Sequence, residues 1–284
     1  MGSYIASLHG HSNYSDGTDS PEALIEAAAD QGVTYLALTD HDLVNGVPEF
    51  YAAADNWNAR HDHKVIPIAG IEMMTVNGEV IFLCSKPLAE AREFLQWVQK
   101  KAIGEPAAVA VIQEAIDNYD CLVIAPHPNL KVGGMRSLNS SVLRNLKQTL
   151  SDRQQQHMAL EVHNGGTAFF LQLTARRESG VQALATEFGW SAIGAADYHV
   201  KADISSQVSQ VHHAGAPSYE ALQKAFVTDQ ISLIQRNSMT VGSWLKRFWR
   251  LLVVVYGYHG PQGSKRLLKQ YQESELFTDP VTHA

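Results

Sequence analysis

Short apolar runs alternate along this chain with longer stretches in which apolar residues recur every three or four positions. The first pattern is that of buried strands and the second that of amphipathic helices. Strands are predicted at Tyr4–Leu8, Val33–Leu38, Val65–Ala69, Glu79–Cys84, Cys121–Ile124, Leu160–Asn164, Ser191–Ala195 and Val208–Val211. Helices are predicted at Ala23–Ala29, Pro48–Asn58, Leu88–Lys101, Ala107–Asn118, Ser140–Leu150, Phe169–Phe188 and Tyr219–Thr228. Ser20-Pro21 opens the first helix with a hydroxyl cap and a proline, and Gly32 ends it. A βα rhythm of this kind, with no internal repeat and no low-complexity linker, argues for a parallel sheet covered by helices, closed or open.

What ends the apolar runs is chemically selective. After five of the predicted strands stand His9-Gly10-His11, Thr39-Asp40-His41-Asp42, Gly70-Ile71-Glu72, Ala125-Pro126-His127-Pro128 and Ala196-Asp197-Tyr198-His199. Residues two apart in an extended chain point the same way, so His9 and His11 leave one face together, as do Asp197 and His199. Ser15-Asp16-Gly17 supplies the turn that brings a carboxylate back to the first pair. Parallel α/β sheets gather ligand and catalytic groups at the carboxyl ends of their strands. The five clusters are therefore expected to meet at one rim and to bind metal there. Any one of them alone reads as a polar turn; their repetition at equivalent positions argues for a site.

The His-x-His-x-x-x-x-Asp-Gly opening, Thr-Asp-His-Asp, Gly-x-Glu, Ala-x-His-Pro and Asp-x-His, in that order over residues 3 to about 230, resemble the polymerase-and-histidinol-phosphatase (PHP) family of metal-dependent phosphoesterases. The resemblance implies an α/β fold, a distorted (β/α)7 TIM-like barrel. It also implies a site for two or three divalent ions (Mn, Fe or Zn) and hydrolysis of phosphate esters. Carried onto this chain, it implies one metal on His9, His11, Glu72 and Asp197, a second on Asp16, His41 and His199, and a third on His127 with Glu72 shared. One position departs from the pattern. The family commonly carries another histidine on the strand after Gly-x-Glu, and Glu79-Val80-Ile81-Phe82-Leu83-Cys84 has none. His163, Glu161 and Cys84 are the candidates to fill that gap.

Imidazoles mixed with carboxylates suit borderline-to-hard cations, which is why Mn, Fe and Zn are named. The implied reaction is attack of metal-activated water at phosphorus, assisted by paired ions about 3.5–4 Å apart. Charge on the phosphoryl group also calls for a fixed cation. Arg136 and Lys131, in the loop after His127, are the candidates, arginine being able to bind phosphate oxygens through two parallel hydrogen bonds. Asp40 is expected to orient a neighbouring ligand through the second ring N–H of a metal-bound histidine, with turn capping as the alternative. His61 and His63 read as solvated, and His212 and His213 as ordinary histidines.

Composition fits one such domain, since 284 residues at 45% hydrophobic can bury a barrel core. The barrel is assigned to residues 1–230. Cys84 and Cys121 are too few for a disulfide scaffold, and no basic-then-apolar leader is read at the start, so the expected location is cytoplasmic. The net charge of −7 is segregated. Residues 1–229 hold 26 acidic and 15 basic groups, while residues 230–272 hold seven basic and no acidic ones. Trp244, Phe248, Leu251, Leu252 and Val255 recur there at helical spacing. Residues 231–284 are thus expected to form a basic, aromatic-rich helical extension packed on the barrel. Nucleic-acid phosphates or an anionic membrane surface are its alternative partners, and no stretch is long enough to span a bilayer. The acidic body favours a small phosphorylated metabolite or nucleotide as substrate. An exonuclease of PHP type, or a non-catalytic metal-binding regulatory module, is the alternative.

Overall fold

The computed structural model describes residues 2–130, 136–165 and 171–235. Lys131 and the basic segment from residue 236 onward lie outside the described residues. The chain runs β1 (Gly2–Ser7), α1 (Pro21–Asp30), β2 (Tyr35–Leu38), α2 (Val47–Arg60), β3 (Ile66–Thr75), β4 (Gly78–Cys84), α3 (Leu88–Ala102) and α4 (Ala108–Tyr119). It continues through β5 (Leu122–Ala125), α5 (Ser140–Thr149), α6 (Asp152–Gln156), β6 (Met158–Asn164), α7 (Leu171–Phe188), β7 (Ser191–Ala195), β8 (Gln207–His213), α8 (Tyr219–Val227) and β9 (Ile231–Gln235). Side-chain caps fix several helix starts: Ser20 accepts from Ala23 N–H, Asn139 from Ser141 and Val142, and Ser218 from Ala221. Ser151 and Gln154 form a reciprocal capping box on α6. No helix among the described residues is long and apolar enough to cross a membrane.

Among the described residues the strands form one nine-stranded sheet in the order β7-β6-β5-β4-β3-β2-β1-β8-β9. Neighbours β1/β2, β2/β3, β5/β6 and β6/β7 are parallel, whereas β4 is antiparallel to both β3 and β5. The seven strands β1 to β7 are those the resemblance implied. The antiparallel pair β8 and β9, joined through α8, adds two more and fills the gap between β1 and β7. There Gly194 on β7 and Ser209 on β8 close the barrel through a side chain: the Gly194 N–H donates to Ser209 Oγ at 3.2 Å, and that hydroxyl donates to the Gly194 carbonyl at 3.0 Å. A Cβ at Gly194 would lie 2.9 Å from the Val208 carbonyl oxygen, so only glycine lets the two strands approach. Past the boundary expected at residue 230, Ile231–Gln235 still pairs with β8 in this sheet.

Both faces of the sheet are buried, which is why its strands read as continuous apolar runs. Outward residues such as Leu36, Leu38, Val80, Phe82 and Val123 join Leu24, Phe50, Phe94 and Leu95 of the helices in one core cluster. Alternate residues, Ala6, Tyr35, Ala37, Ile68, Ile81, Leu83, Leu122 and Ile124, fill the barrel interior, where Leu222 and Phe226 of α8 join them. Each large aliphatic or aromatic side chain so buried contributes roughly 1.5–3 kcal/mol.

Candidate metal centre

Beyond β1 the chain is held by hydrogen bonds on both sides. Gly10 N–H donates to Thr39 Oγ1 at 3.0 Å, the Gly10 carbonyl accepts from Thr39 N–H at 2.8 Å, and His11 N–H donates to the Tyr198 carbonyl at 2.8 Å. A Cβ at Gly10 would lie 2.1 Å from the buried Tyr198 ring, so this clamp requires glycine between the two histidines. The strand itself ends at Ser7, short of the expected Leu8. His9 and His11 are thus aimed by this clamp, and not by strand alternation.

Glu72 lies inside β3, which continues to Thr75 because β4 pairs with it across the two-residue turn Val76-Asn77. His41 sits beside it in a parallel bridge, with Asp42 N–H donating to the Glu72 carbonyl at 3.0 Å. Two further ligand candidates, His127 and Asp197, and Asp42 beside His41 stand on sharply turned backbone. Asp42, His127 and Asp197 have φ of 53°, 29° and 49°, a left-handed region that non-glycine residues adopt at a cost and mostly at functional sites.

These elements converge on one buried carboxylate. Glu72 Oε2 lies 3.1 Å from His9 Nε2, 3.2 Å from His11 Nε2 and 3.3 Å from His41 Nδ1, while its Oε1 lies 3.2 Å from His127 Nε2. Asp197 Oδ1 stands 3.6 Å from His9, 3.5 Å from His11 and 3.5 Å from His199. Asp16 faces His199 Nε2 at 3.0 Å, and His41 and His11 at 3.6 Å each. Three groups place one donor atom per residue within 4.8 Å of one another: His11, Asp16, His41 and His199; His9, His11 and Glu72; and His41, Glu72 and Glu79.

Protons and lone pairs are arranged here as a bound cation would require. His9 Nδ1 donates to Glu161 Oε1 at 3.0 Å, so in the neutral ring Nε2 is a bare lone pair aimed at the lone pairs of Glu72. His199 repeats the arrangement, with Nδ1 donating to the Asp197 carbonyl at 3.0 Å and Nε2 aimed at Asp16. Such contacts are attractive only when each ring takes a second proton or a cation lies between the lone pairs. Burial by itself pushes the imidazoles down, but the surrounding carboxylates outweigh it. Asp16, Asp197 and Glu72 raise His11 to about 10, Glu72 with Glu79 and Glu161 raises His127 to about 9, and Glu72, Asp197 and Glu161 hold His9 well above 6.5. Against burial, His9 and His41 hold Glu72, and His199 and His41 hold Asp16, well below the usual carboxylate range. The donor set, in which buried His11 Nδ1, His127 Nδ1 and Glu79 Oε2 have no hydrogen-bond partner among the described residues, fits divalent cations.

The eight proposed ligands His9, His11, Asp16, His41, Glu72, His127, Asp197 and His199 all fall within this cluster. Others do not. Asp40 accepts from Ser12 N–H at 2.8 Å, the Ser12 hydroxyl at 2.7 Å and the Ser15 hydroxyl at 2.5 Å. It caps the turn that presents Asp16, and none of these bonds goes to an imidazole. Glu161 is the carboxylate that accepts from His9 Nδ1, at 3.0 Å, and its second oxygen accepts from His127 N–H at 2.5 Å and Asn164 at 2.9 Å. The Arg136 guanidinium is largely exposed and stands 3.8 Å from Glu105. His163 faces Glu178 at 3.2 Å, and Cys84 belongs to the helix-facing core, where burial pushes its thiol up to about 12. Glu79, which no sequence argument singled out, is the acid that the structure adds.

A family model described as the PHP domain matches residues 7–184, well over half of the chain. An error-prone DNA polymerase of Mycobacterium bovis is 49% identical over 57 residues, covering 19% of this chain and 5% of that protein. A 5'-3' exoribonuclease of Haemophilus influenzae is 30% identical over 129 residues, covering 40% of this chain and 44% of that protein. The matches thus span less than half the length of these relatives. A solved two-domain protein of Bacteroides vulgatus, described as containing a predicted PHP-like metal-dependent phosphoesterase, superposes with a TM-score of 0.57 at 15% identity, covering 87% of this chain and 69% of that one. At that identity the likeness is one of fold. With the barrel, the rim cluster and the family model in agreement, the chain belongs to the PHP family.

Proposed function

We propose that this chain is a metal-dependent phosphoric ester hydrolase acting on a small phosphorylated metabolite or nucleotide. The observation that carries this reading is Glu72, a buried carboxylate shared by four imidazoles through both of its oxygens. His9, His11, Asp16, His41, Glu72, His127, Asp197 and His199 would hold the cations. Divalent cations so held supply acidification of water and neutralisation of charge on a phosphoryl group. The chain's own residues set the donors for them. Glu161 keeps the His9 proton on Nδ1, the Asp197 carbonyl keeps the His199 proton on Nδ1, and Asp40 with Ser12 and Ser15 fixes the approach of Asp16. The 26 acidic against 15 basic groups of residues 1–229 support a small substrate, because an acidic body does not attract a polyanion from a distance.

Exonuclease action on nucleic-acid ends is the second reading. It is supported by the identity to the exoribonuclease and by the seven basic residues of positions 230–272. One experiment separates the two. Chelated protein is reloaded with Mn2+, Fe2+ or Zn2+ and offered histidinol phosphate, a 3',5'-bisphosphonucleotide, a phosphotyrosine peptide and a short RNA. Metal-dependent phosphate release from a small ester is expected, reduced at least about 100-fold in His41→Ala and Asp197→Ala. Preference for RNA that collapses with salt, and weakens on deleting residues 236–284, selects the exonuclease. Unchanged turnover in both variants would exclude the cluster as the site of reaction.

A further inference from the structure

Three buried acids of the rim lie outside the ligand set above: Asp40 and Glu161 are satisfied by hydrogen-bond donors, and Glu79 is left with a bare oxygen. It lies on β4, where Ile81 pairs with Glu72, and two-residue alternation places Glu79 on the same interior face as Ile81 and Leu83. Its side chain is 6% exposed. Glu79 Oε2 has no hydrogen-bond partner among the described residues and stands 3.6 Å from His127 Nε2, on the side of that ring that also meets Glu72. Donor atoms of Glu79, Glu72 and His41 lie within 4.8 Å of one another. Its backbone is held in place, since the Glu79 N–H donates to the Arg136 carbonyl at 2.5 Å. No lysine or arginine among the described residues pairs with it, and a buried carboxylate oxygen without a donor or cation is costly.

We propose that Glu79 stands in for the histidine that this chain lacks on the strand after Gly-x-Glu, and completes with Glu72 and His127 a third cation position. The inference rests on the metal-dependent reading above. Replacing a neutral nitrogen by an anionic oxygen makes this position harder than its neighbour. The His11, Asp16, His41 and His199 group offers three nitrogens to one oxygen, whereas His127, Glu72 and Glu79 offer one nitrogen to two carboxylates. Oxygen-rich sets favour Mn2+ over Zn2+ relative to imidazole-rich ones. The two sides of the cluster thus discriminate between metals, Zn2+ being tolerated on the imidazole side and Mn2+ preferred beside Glu79.

The test uses the full chain, stripped with chelator and titrated with Mn2+ or Zn2+. Bound metal is counted by mass spectrometry after desalting and followed by Mn2+ electron paramagnetic resonance. Glu79→Gln keeps the shape and removes the charge. It is expected to lose the most weakly held Mn2+ equivalent, with affinity down at least about tenfold, while the other equivalents stay. Glu79→His is expected to restore that equivalent with its preference turned toward Zn2+, which a merely structural role for Glu79 would not produce. Thermal midpoints of the metal-loaded variants report folding independently. Equal Mn2+ content and affinity in wild type and Glu79→Gln would overturn the proposal, as would a Glu79→His protein with unchanged metal preference. A wild-type chain that binds no metal at all would instead overturn the reading on which the proposal rests.

Discussion

The interior of this barrel has two halves built from the same strands on the same face, and they differ in everything but geometry. On β3, Ile68 faces inward in one half and Glu72 in the other; on β4, Leu83 and Ile81 are followed by Glu79. Strand alternation decides which side chains enter the barrel, and height along the strand decides what chemistry they carry. The apolar half supplies burial and asks nothing specific of its neighbours. The ionic half is buried just as deeply, with His9, His11 and Glu72 at 0–1% exposed, so every charge there depends on a partner.

That difference is broken most severely at Glu72. Glu72→Gln preserves volume but removes the charge shared by four imidazoles. A loss of at least about a thousandfold in kcat/KM is expected, beyond the 10–100-fold typical of ligand-orienting residues, together with loss of bound metal on elemental analysis. Leu83→Ala probes the other half. It deletes a fully buried side chain in the apolar interior and should lower unfolding stability by about 2–5 kcal/mol in a denaturant titration. The number of bound metal ions should not change. If Leu83→Ala released metal, or Glu72→Gln retained it, the two halves would not be separable.

A smaller effect sharpens the contrast through pH. In metal-free protein His11 and His127 sit at about 10 and about 9 against an ordinary 6.5, because the surrounding carboxylates outweigh burial. Their contribution to stability is fully present below pH 6.5 and is lost as pH rises through about 9 to 10. Glu79, raised by burial and by the charge of Glu72 to about 7 from 4.5, acts in the same direction, its stabilising proton being lost between those values. Metal-free protein should therefore show a falling thermal midpoint from about pH 5 to pH 10. Bound metal replaces those protons, so the gap between metal-loaded and chelated midpoints should widen as pH rises. A gap that narrows with pH would contradict this.

Much of this architecture was legible because local signals and tertiary structure agree. The cap and proline at Ser20-Pro21 mark a helix start that the structure reproduces, and the polar clusters following β1, β2, β5 and β7 do meet at the rim. Non-local features were not legible. Glu79 carries no imidazole to mark it as a ligand, although the short span from Glu72 through Val76-Asn77 and the period of two are enough to place it beside Glu72. The strand Ile231–Gln235 is hidden at the head of the basic segment, because the pairing partner of its apolar residues Ile231, Leu233 and Ile234, β8, lies on the far side of α8. Barrel closure depends on Gly194 meeting Ser209, and nothing in either residue's neighbourhood announces the other.

The smallest expected effect comes from the same side chain in the opposite environment. His61 ends α2, stacks on Trp57 with ring centroids 3.7 Å apart, and donates through Nδ1 to the Trp57 carbonyl at 2.9 Å. Its partners are a ring and a backbone oxygen one turn back on its own helix, where His9 meets three carboxylates. An exposed ring of this kind closes the last turn of a helix and interacts weakly with the helix dipole. His61→Ala should therefore change unfolding stability by no more than about 1 kcal/mol and leave metal content and kcat/KM within about twofold of wild type. Metal loss in His61→Ala comparable to that in His41→Ala would mean that imidazole content, and not the carboxylate cradle around Glu72, governs metal binding in this chain.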